Sequence, residues 1–257
     1  MAAPPAMNIK CIGFCGADDS VDARLLASIS QRYPWVEWGV LFRDDKEGQP
    51  RFASSSWVED LALVNKNKNM LLAAHLCSKQ AEDLIAGDTK FCKSLIEMGF
   101  SRFQLNATKA NNFDTSVLGS DKATKLRQTA AAHPDVEFIV QRNEETRPLW
   151  EHLLSDPAPN ISFLFDESKG RGAVADSYPP PPPVGVRFGY TGGLKPSNIE
   201  TQIAKMAVAG AGREIWLDME SSLRTKLEDG SDIFDIYKAM SCIRSVISMG
   251  YKPESSF

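Results

Sequence analysis

The sequence predicts an α/β fold, a single (β/α)8 TIM barrel whose sixth helix is replaced by a proline-rich loop, and three observations carry that prediction. Eight times along the chain a short apolar run gives way to an amphipathic helical pattern. The 257 residues match the ~250 that one closed barrel needs. Five consecutive prolines interrupt the stretch between the sixth and seventh apolar runs, where a helix would otherwise stand. Residues 1–257 are therefore expected to form one barrel, with 173–184 as the proline-rich loop.

The strands, in order, are expected at 9–15, 36–42, 69–75, 101–106, 136–141, 161–166, 185–190 and 214–219. Several are almost continuously apolar, as parallel strands covered on both faces should be. In the first helix Val21, Leu25, Leu26 and Ile29 share one face. In the second, Ser56 stands three residues before Glu59, the spacing of a capping box, and Ser197 with Glu200 repeats the signal later. Residues 232–250 read as a long closing helix. Pro179 to Pro183 fit either a stiff surface spacer or a ligand for a proline-binding partner.

Composition narrows the function classes. With 43% apolar residues and ordinary length, the chain can bury roughly 70–75% of its unfolded surface without staples. A net charge of −4 argues against a nucleic-acid surface, which needs clustered Lys and Arg. No apolar run reaches the ~18–20 residues of a membrane helix, so no membrane association is expected. The five cysteines are odd in number and widely spread, and the opening MAAPPAM lacks a leader pattern. They read as reduced thiols of a cytoplasmic protein. The chain fits a monomer or a homodimer equally.

Chemistry in such a barrel gathers where strands end and loops begin, and three junctions stand out. Alternation along strand one places Ile9, Cys11, Gly13 and Cys15 on the inner face, so Cys15 is expected at the barrel mouth. A thiol there is either a base, if its pKa is lowered, or a small buried hydrophobe, the reading that suits Cys11. Gly16 allows a sharp exit, after which Asp18, Asp19 or Ser20 is expected to cap the first helix. Asp166 ends strand six and is followed by Gly170 and Gly172. Partial desolvation would raise its pKa and suit it to donate a proton, while capping the loop's amides is the competing role. The third junction, Gly192-Gly193 running into a capped helix, can bind a phosphate dianion through free N–H groups or be a structural turn. Ser221 and Ser222 follow strand eight and would complete that pocket. His75 could face the mouth; His133 and His152 sit where solvated imidazoles are usual, and no spacing suggests a metal site or a cofactor.

These junctions, in this order, resemble the phosphoribosylanthranilate isomerase family. Cys15-Gly16 with Asp22-Ala23 is similar to its strand-one signature, Asp166 with its glycine loop to strand six, and Gly192-Gly193-Leu194 with Pro196 and Asn198 to its strand-seven phosphate motif. Pro50-Arg51-Phe52 resembles its S-P-R-[YF] segment, although a loop Arg is by itself usually a solvated cation. The resemblance implies a cofactor-independent Amadori rearrangement in tryptophan biosynthesis, an intramolecular oxidoreductase reaction on a small phosphorylated sugar. By that resemblance Asp166 is the general acid and Cys15 the base. Arg51 and Gln104 bind the substrate, Arg51 through the anthranilate carboxylate. Gly170, Gly172, Gly192, Gly193, Ser221 and Ser222 hold the phosphate. The chain departs from the pattern at Gly13 (usually Lys), at Asn106 (usually His) and at Glu220-Ser221-Ser222-Leu223 (usually S-S-G-V), which marks a diverged member. Two other readings remain: an aldolase-type lyase using Lys109 as a Schiff base, and a barrel that binds a phosphosugar or a partner without turnover.

Overall fold

A computed structural model describes residues 7–251; the ends of the one-barrel assignment and most of the opening segment lie outside them. Eight parallel strands close into a barrel in chain order: β1 (Asn8–Cys15), β2 (Val36–Phe42), β3 (Leu71–Leu76), β4 (Arg102–Leu105), β5 (Glu137–Arg142), β6 (Ile161–Phe165), β7 (Phe188–Tyr190) and β8 (Glu214–Met219). Around them run α1 (Ala23–Arg32), α2 (Ser55–Val64), α3 (Ser78–Ala86), α4 (Lys90–Glu97), α5 (Ser120–Ala132), α6 (Arg147–Ser155), α7 (Ile199–Ala209) and α8 (Ile236–Ser248). No helix among the described residues connects β6 to β7, and none is long and apolar enough to cross a membrane.

Period-two alternation divides the strands cleanly. Val36, Trp38 and Val40 pack under the helices, as do Phe103, Phe138, Phe163 and Leu217. The opposite residues face the barrel axis, where a small apolar plug of Cys11, Ile139, Leu164 and Trp216 forms. Below it lies a charged layer: Arg102 is 2.7 Å from Glu37 and 3.2 Å from Glu137, all three buried, and its guanidinium stacks 4.7 Å from the Trp216 ring. Above the plug the axis becomes polar, and this opens onto the C-terminal ends of the strands.

Several local expectations are corrected. Ile9 joins the helix-facing core because the β1–β8 register shifts between Ile9 and Ile12, which breaks the alternation there. Leu25 is exposed, and α1 buries Leu26 and Ile29 instead. Asp22 caps α1, accepting from the Arg24 N–H, which frees Asp18 and Asp19 to hold the loop before α2. The cap of α2 is Ser54, not Ser56: its hydroxyl accepts from the Trp57 N–H. The cap position of α7 is Asn198 rather than Ser197, and its side chain turns back to the preceding loop. The closing helix is shorter than its pattern, because Asp232–Phe234 (β10) pair with Arg224–Lys226 (β9) and Asp235 then caps α8.

The proline run stands in for the missing helix. Pro182 is buried while Pro180 and Pro183 are exposed, so one edge of the run packs inward. The Tyr190 hydroxyl donates to the Pro179 carbonyl 2.6 Å away, and Arg213 reaches the Pro182 and Pro183 carbonyls. Tyr178, Phe165 and Phe188 surround Tyr190 edge-on, so the segment covers an aromatic cluster on the outside of β6 and β7.

Candidate active site

At the C-terminal end of the barrel is a narrow cavity of about 50 Å³. Its floor comes from strand ends in phase with the inner face: His75, Gln104, Gln141, Asp166, Asp218 and Glu220. Its rim is built by Gly170 and Gly172 after β6, Gly192 and Gly193 after β7, and Ser221 and Ser222 after β8. The structure thus brings together every site residue expected from the sequence except Cys15 and Arg51.

Asp166 is 3% exposed and accepts three hydrogen bonds, from the Ser168 hydroxyl at 2.6 Å, the Gly170 N–H at 2.8 Å and the Gln141 amide at 3.1 Å. Burial raises its pKa, and the bonds from Ser168 and Gly170 oppose that rise without cancelling it. The carboxyl caps its own loop, one of the two roles open in the sequence, and it also lines the cavity. That loop crosses the mouth. Gly170 rests near Asn111, and Gly172 near Ser221. Ala173 and Val174 lie across Gly192-Gly193 so closely that an added Cβ at Gly193 would be 2.6 Å from the Val174 nitrogen. Both glycines have positive φ, 104° and 63°, so turn and crossing alike demand them. Asn198 fixes the turn by donating to the Gly193 carbonyl and accepting from the Lys195 N–H, each at 2.9 Å. The Ser222 hydroxyl donates to the Leu194 carbonyl.

Cys15 is fully buried beside Leu41 and Cys77, with Phe52 against them, and does not line the cavity. Burial, reinforced by Glu220 and Asp218, pushes its thiol far above the ordinary range. Above the adjacent Gly16 lie the side chains of Arg51 and Glu220, a pair joined at 3.0 Å. Arg51 has a left-handed backbone, φ 81°, with its N–H held by Asp18, which is itself paired to Arg224 at 2.7 Å. All five thiols are buried and unpaired. We expect none to react with Ellman's reagent within minutes at neutral pH in the native protein and all five to react in denaturant, read by absorbance.

The remaining floor residues had weaker signals in the sequence. His75 is buried, and desolvation followed by the charge of Arg102 lowers its pKa to about 3, leaving a neutral imidazole. Asp218 Oδ1 and Gln141 Oε1 are buried without a hydrogen-bond partner among the described residues. Asp218 also explains the departure at Gly13, since an added Cβ there would lie 2.7 Å from its Oδ1. Their signal was positional: Gln141 and Asp218 sit near the C-terminal ends of β5 and β8, in phase with the inner-facing Ile139 and Trp216. No group of three or more metal-ligating side chains converges among the described residues.

The Asp218 pKa is raised well above 3.8 by burial first and then by Glu37 and Glu220. The folded state therefore keeps this proton to higher pH than the unfolded chain. Its contribution to stability is complete below about pH 3.9 and is lost as pH rises, by up to ~1.4 kcal/mol per pH unit. Asp218→Asn cannot ionise, so its thermal stability is expected to fall less than that of the parent between pH 5 and pH 8. Parallel melting curves for the two proteins would refute this.

No family model and no curated protein matches the sequence. The fold is similar to that of a monomeric form of the dimeric phosphoribosylanthranilate isomerase of Thermotoga maritima, with a TM-score of 0.55 at 14% identity over 93% of this chain and 99% of that one. A truncated 3-deoxy-D-arabino-heptulosonate 7-phosphate synthase from the same organism gives 0.54 at 11% identity, over 98% and 91%. D-psicose 3-epimerase of Clostridium cellulolyticum gives 0.51 at 9%, over 93% and 96%. At these identities the likeness establishes one thing, that the chain folds as a (β/α)8 barrel.

Proposed function

We propose that this chain is a cofactor-independent isomerase of a phosphorylated sugar, working by proton transfer in the manner of an Amadori rearrangement. The observation that carries the reading is Asp166, a carboxyl at the end of β6 whose pKa is raised by burial while it lines the cavity. Such a group holds its proton to higher pH than an exposed carboxyl and, while protonated, can protonate a sugar ring oxygen, opening the ring. Gly192-Gly193 and Ser221-Ser222, on the same cavity, are the groups we assign to the phosphate. The proton acceptor is assigned to Glu220 rather than Cys15, because Glu220 lines the cavity and Arg51, 3.0 Å away, favours its ionised form against the burial that raises its pKa, whereas the buried thiol stays protonated. A neutral His75 supplies a hydrogen-bonding imidazole beside them. We place the protein in the cytoplasm, where its thiols stay reduced.

Schiff-base chemistry at Lys109 is not favoured, since that lysine is exposed and does not line the cavity. Binding without turnover is favoured by one observation: the Cys15 thiol, the base that the resemblance implies, is packed against Leu41 and Cys77 and does not line the cavity. The test is to incubate purified protein with phosphoribosylanthranilate and with ribose 5-phosphate, following substrate fluorescence and ketose formation. Turnover of either supports the isomerase. Calorimetric binding with no product in prolonged assays supports the second reading.

A further inference from the structure

The charge on Arg51 is already used. Its guanidinium lies 3.0 Å from Glu220, a cavity-lining residue, and its backbone is pinned by Asp18, so the cation is held behind Glu220 rather than on the cavity wall. Both side chains keep about a third of their surface exposed, 32% and 28%, and of the two Glu220 lines the cavity. No Lys or Arg lines the cavity among the described residues. Deeper in, Asp218 Oδ1 and Gln141 Oε1 are acceptors without donors, and both residues line the cavity at 6% and 4% exposure. The interior therefore lacks hydrogen-bond donors from a ligand, not anions.

We propose that Glu220 occupies, from within the chain, the place of a substrate carboxylate on Arg51, so that the site takes a sugar phosphate whose far end is uncharged and rich in hydroxyl groups and rejects one whose far end carries a carboxylate. The inference rests on the phosphosugar reading of this site. A sugar hydroxyl can donate to Asp218 and Gln141 and satisfy two buried acceptors at once. A carboxylate can donate to neither. To reach Arg51 it must displace Glu220, leaving that carboxylate without its counter-charge in a partly buried site, which penalises the exchange.

The test compares two ligands of equal length and equal phosphate: ribose 5-phosphate and its C1-oxidised counterpart, 5-phosphoribonate, with inorganic phosphate as reference, by calorimetry. The intact protein is expected to bind the aldose at least about tenfold more tightly than the acid. Glu220→Gln and Glu220→Ser, each checked for an unchanged melting profile, should shrink that ratio to within about threefold, mainly through tighter binding of the acid. Equal or preferred binding of phosphoribonate by the parent protein would overturn the proposal and leave the phosphosugar reading standing. Unchanged discrimination in both variants would overturn the role given to Glu220. If neither sugar nor inorganic phosphate binds, the phosphosugar reading fails and the proposal falls with it.

Discussion

Replacing Arg102 by methionine is expected to cost about 3–5 kcal/mol of stability, because Glu37 loses its buried ion-pair partner and Glu137 keeps only Arg187, at 3.0 Å. For a chain of this size that is a fall of roughly 6–20 °C in Tm. The reason lies in the barrel's interior, where (β/α)8 proteins usually stack branched aliphatic residues. Here Arg102, 2% exposed, donates to Glu37 at 2.7 Å and to Glu137 at 3.2 Å and stacks on Trp216. Burial works against both carboxyls. At Glu137 the pull of Arg102, with help from Ser162 and Arg187, overcomes it and the pKa is lowered; at Glu37 burial wins and the pKa is raised. The single substitution removes the one group that compensates both. The triple variant Arg102→Met with Glu37→Gln and Glu137→Gln should regain most of the loss, since a neutral set removes the uncompensated charge. If the single variant melts within a degree of the parent, the charged layer is not what holds the floor of the barrel.

The barrel was legible in the sequence because its signal is periodic and repeated: all eight strands occur where apolar runs alternate with helical patterns. Part of the cavity lining was legible for a related reason. Asp166, Gly192 and Gly193 sit at strand ends where topology allows one destination. What the chain hid is three-dimensional. The register shift near Ile9 is a property of the β1–β8 pair, visible in neither strand alone. Cys15 keeps the expected inner face, but whether that face meets solvent depends on Leu41, Phe52 and Cys77, which lie 26, 37 and 62 residues further along the chain. Glu220 registered as a departure from a pattern; its meaning required the ion pair. Caps were misplaced by one to four residues, because Ser and Asp cluster before these helices and only backbone geometry selects among them.

Asp166→Asn is expected to lower turnover about 10²- to 10⁴-fold, the contribution usual for a positioned general acid, with substrate binding largely kept. Because the same carboxyl accepts from Ser168, Gly170 and Gln141, loss of activity alone would not separate proton donation from loop holding. Ser168→Ala separates them. The Ser168 hydroxyl lowers the Asp166 pKa by favouring the ionised form, so removing it raises that pKa further. A general acid works only while protonated. Its deletion should therefore carry the alkaline limb of the pH–rate profile to higher pH, with activity retained at lower pH, whereas a loop that merely loosens would reduce the rate at every pH. The two substitutions together decide the role: if Asp166→Asn is inactive while Ser168→Ala leaves the alkaline limb where it was, Asp166 holds the loop and the proton comes from another group on the cavity.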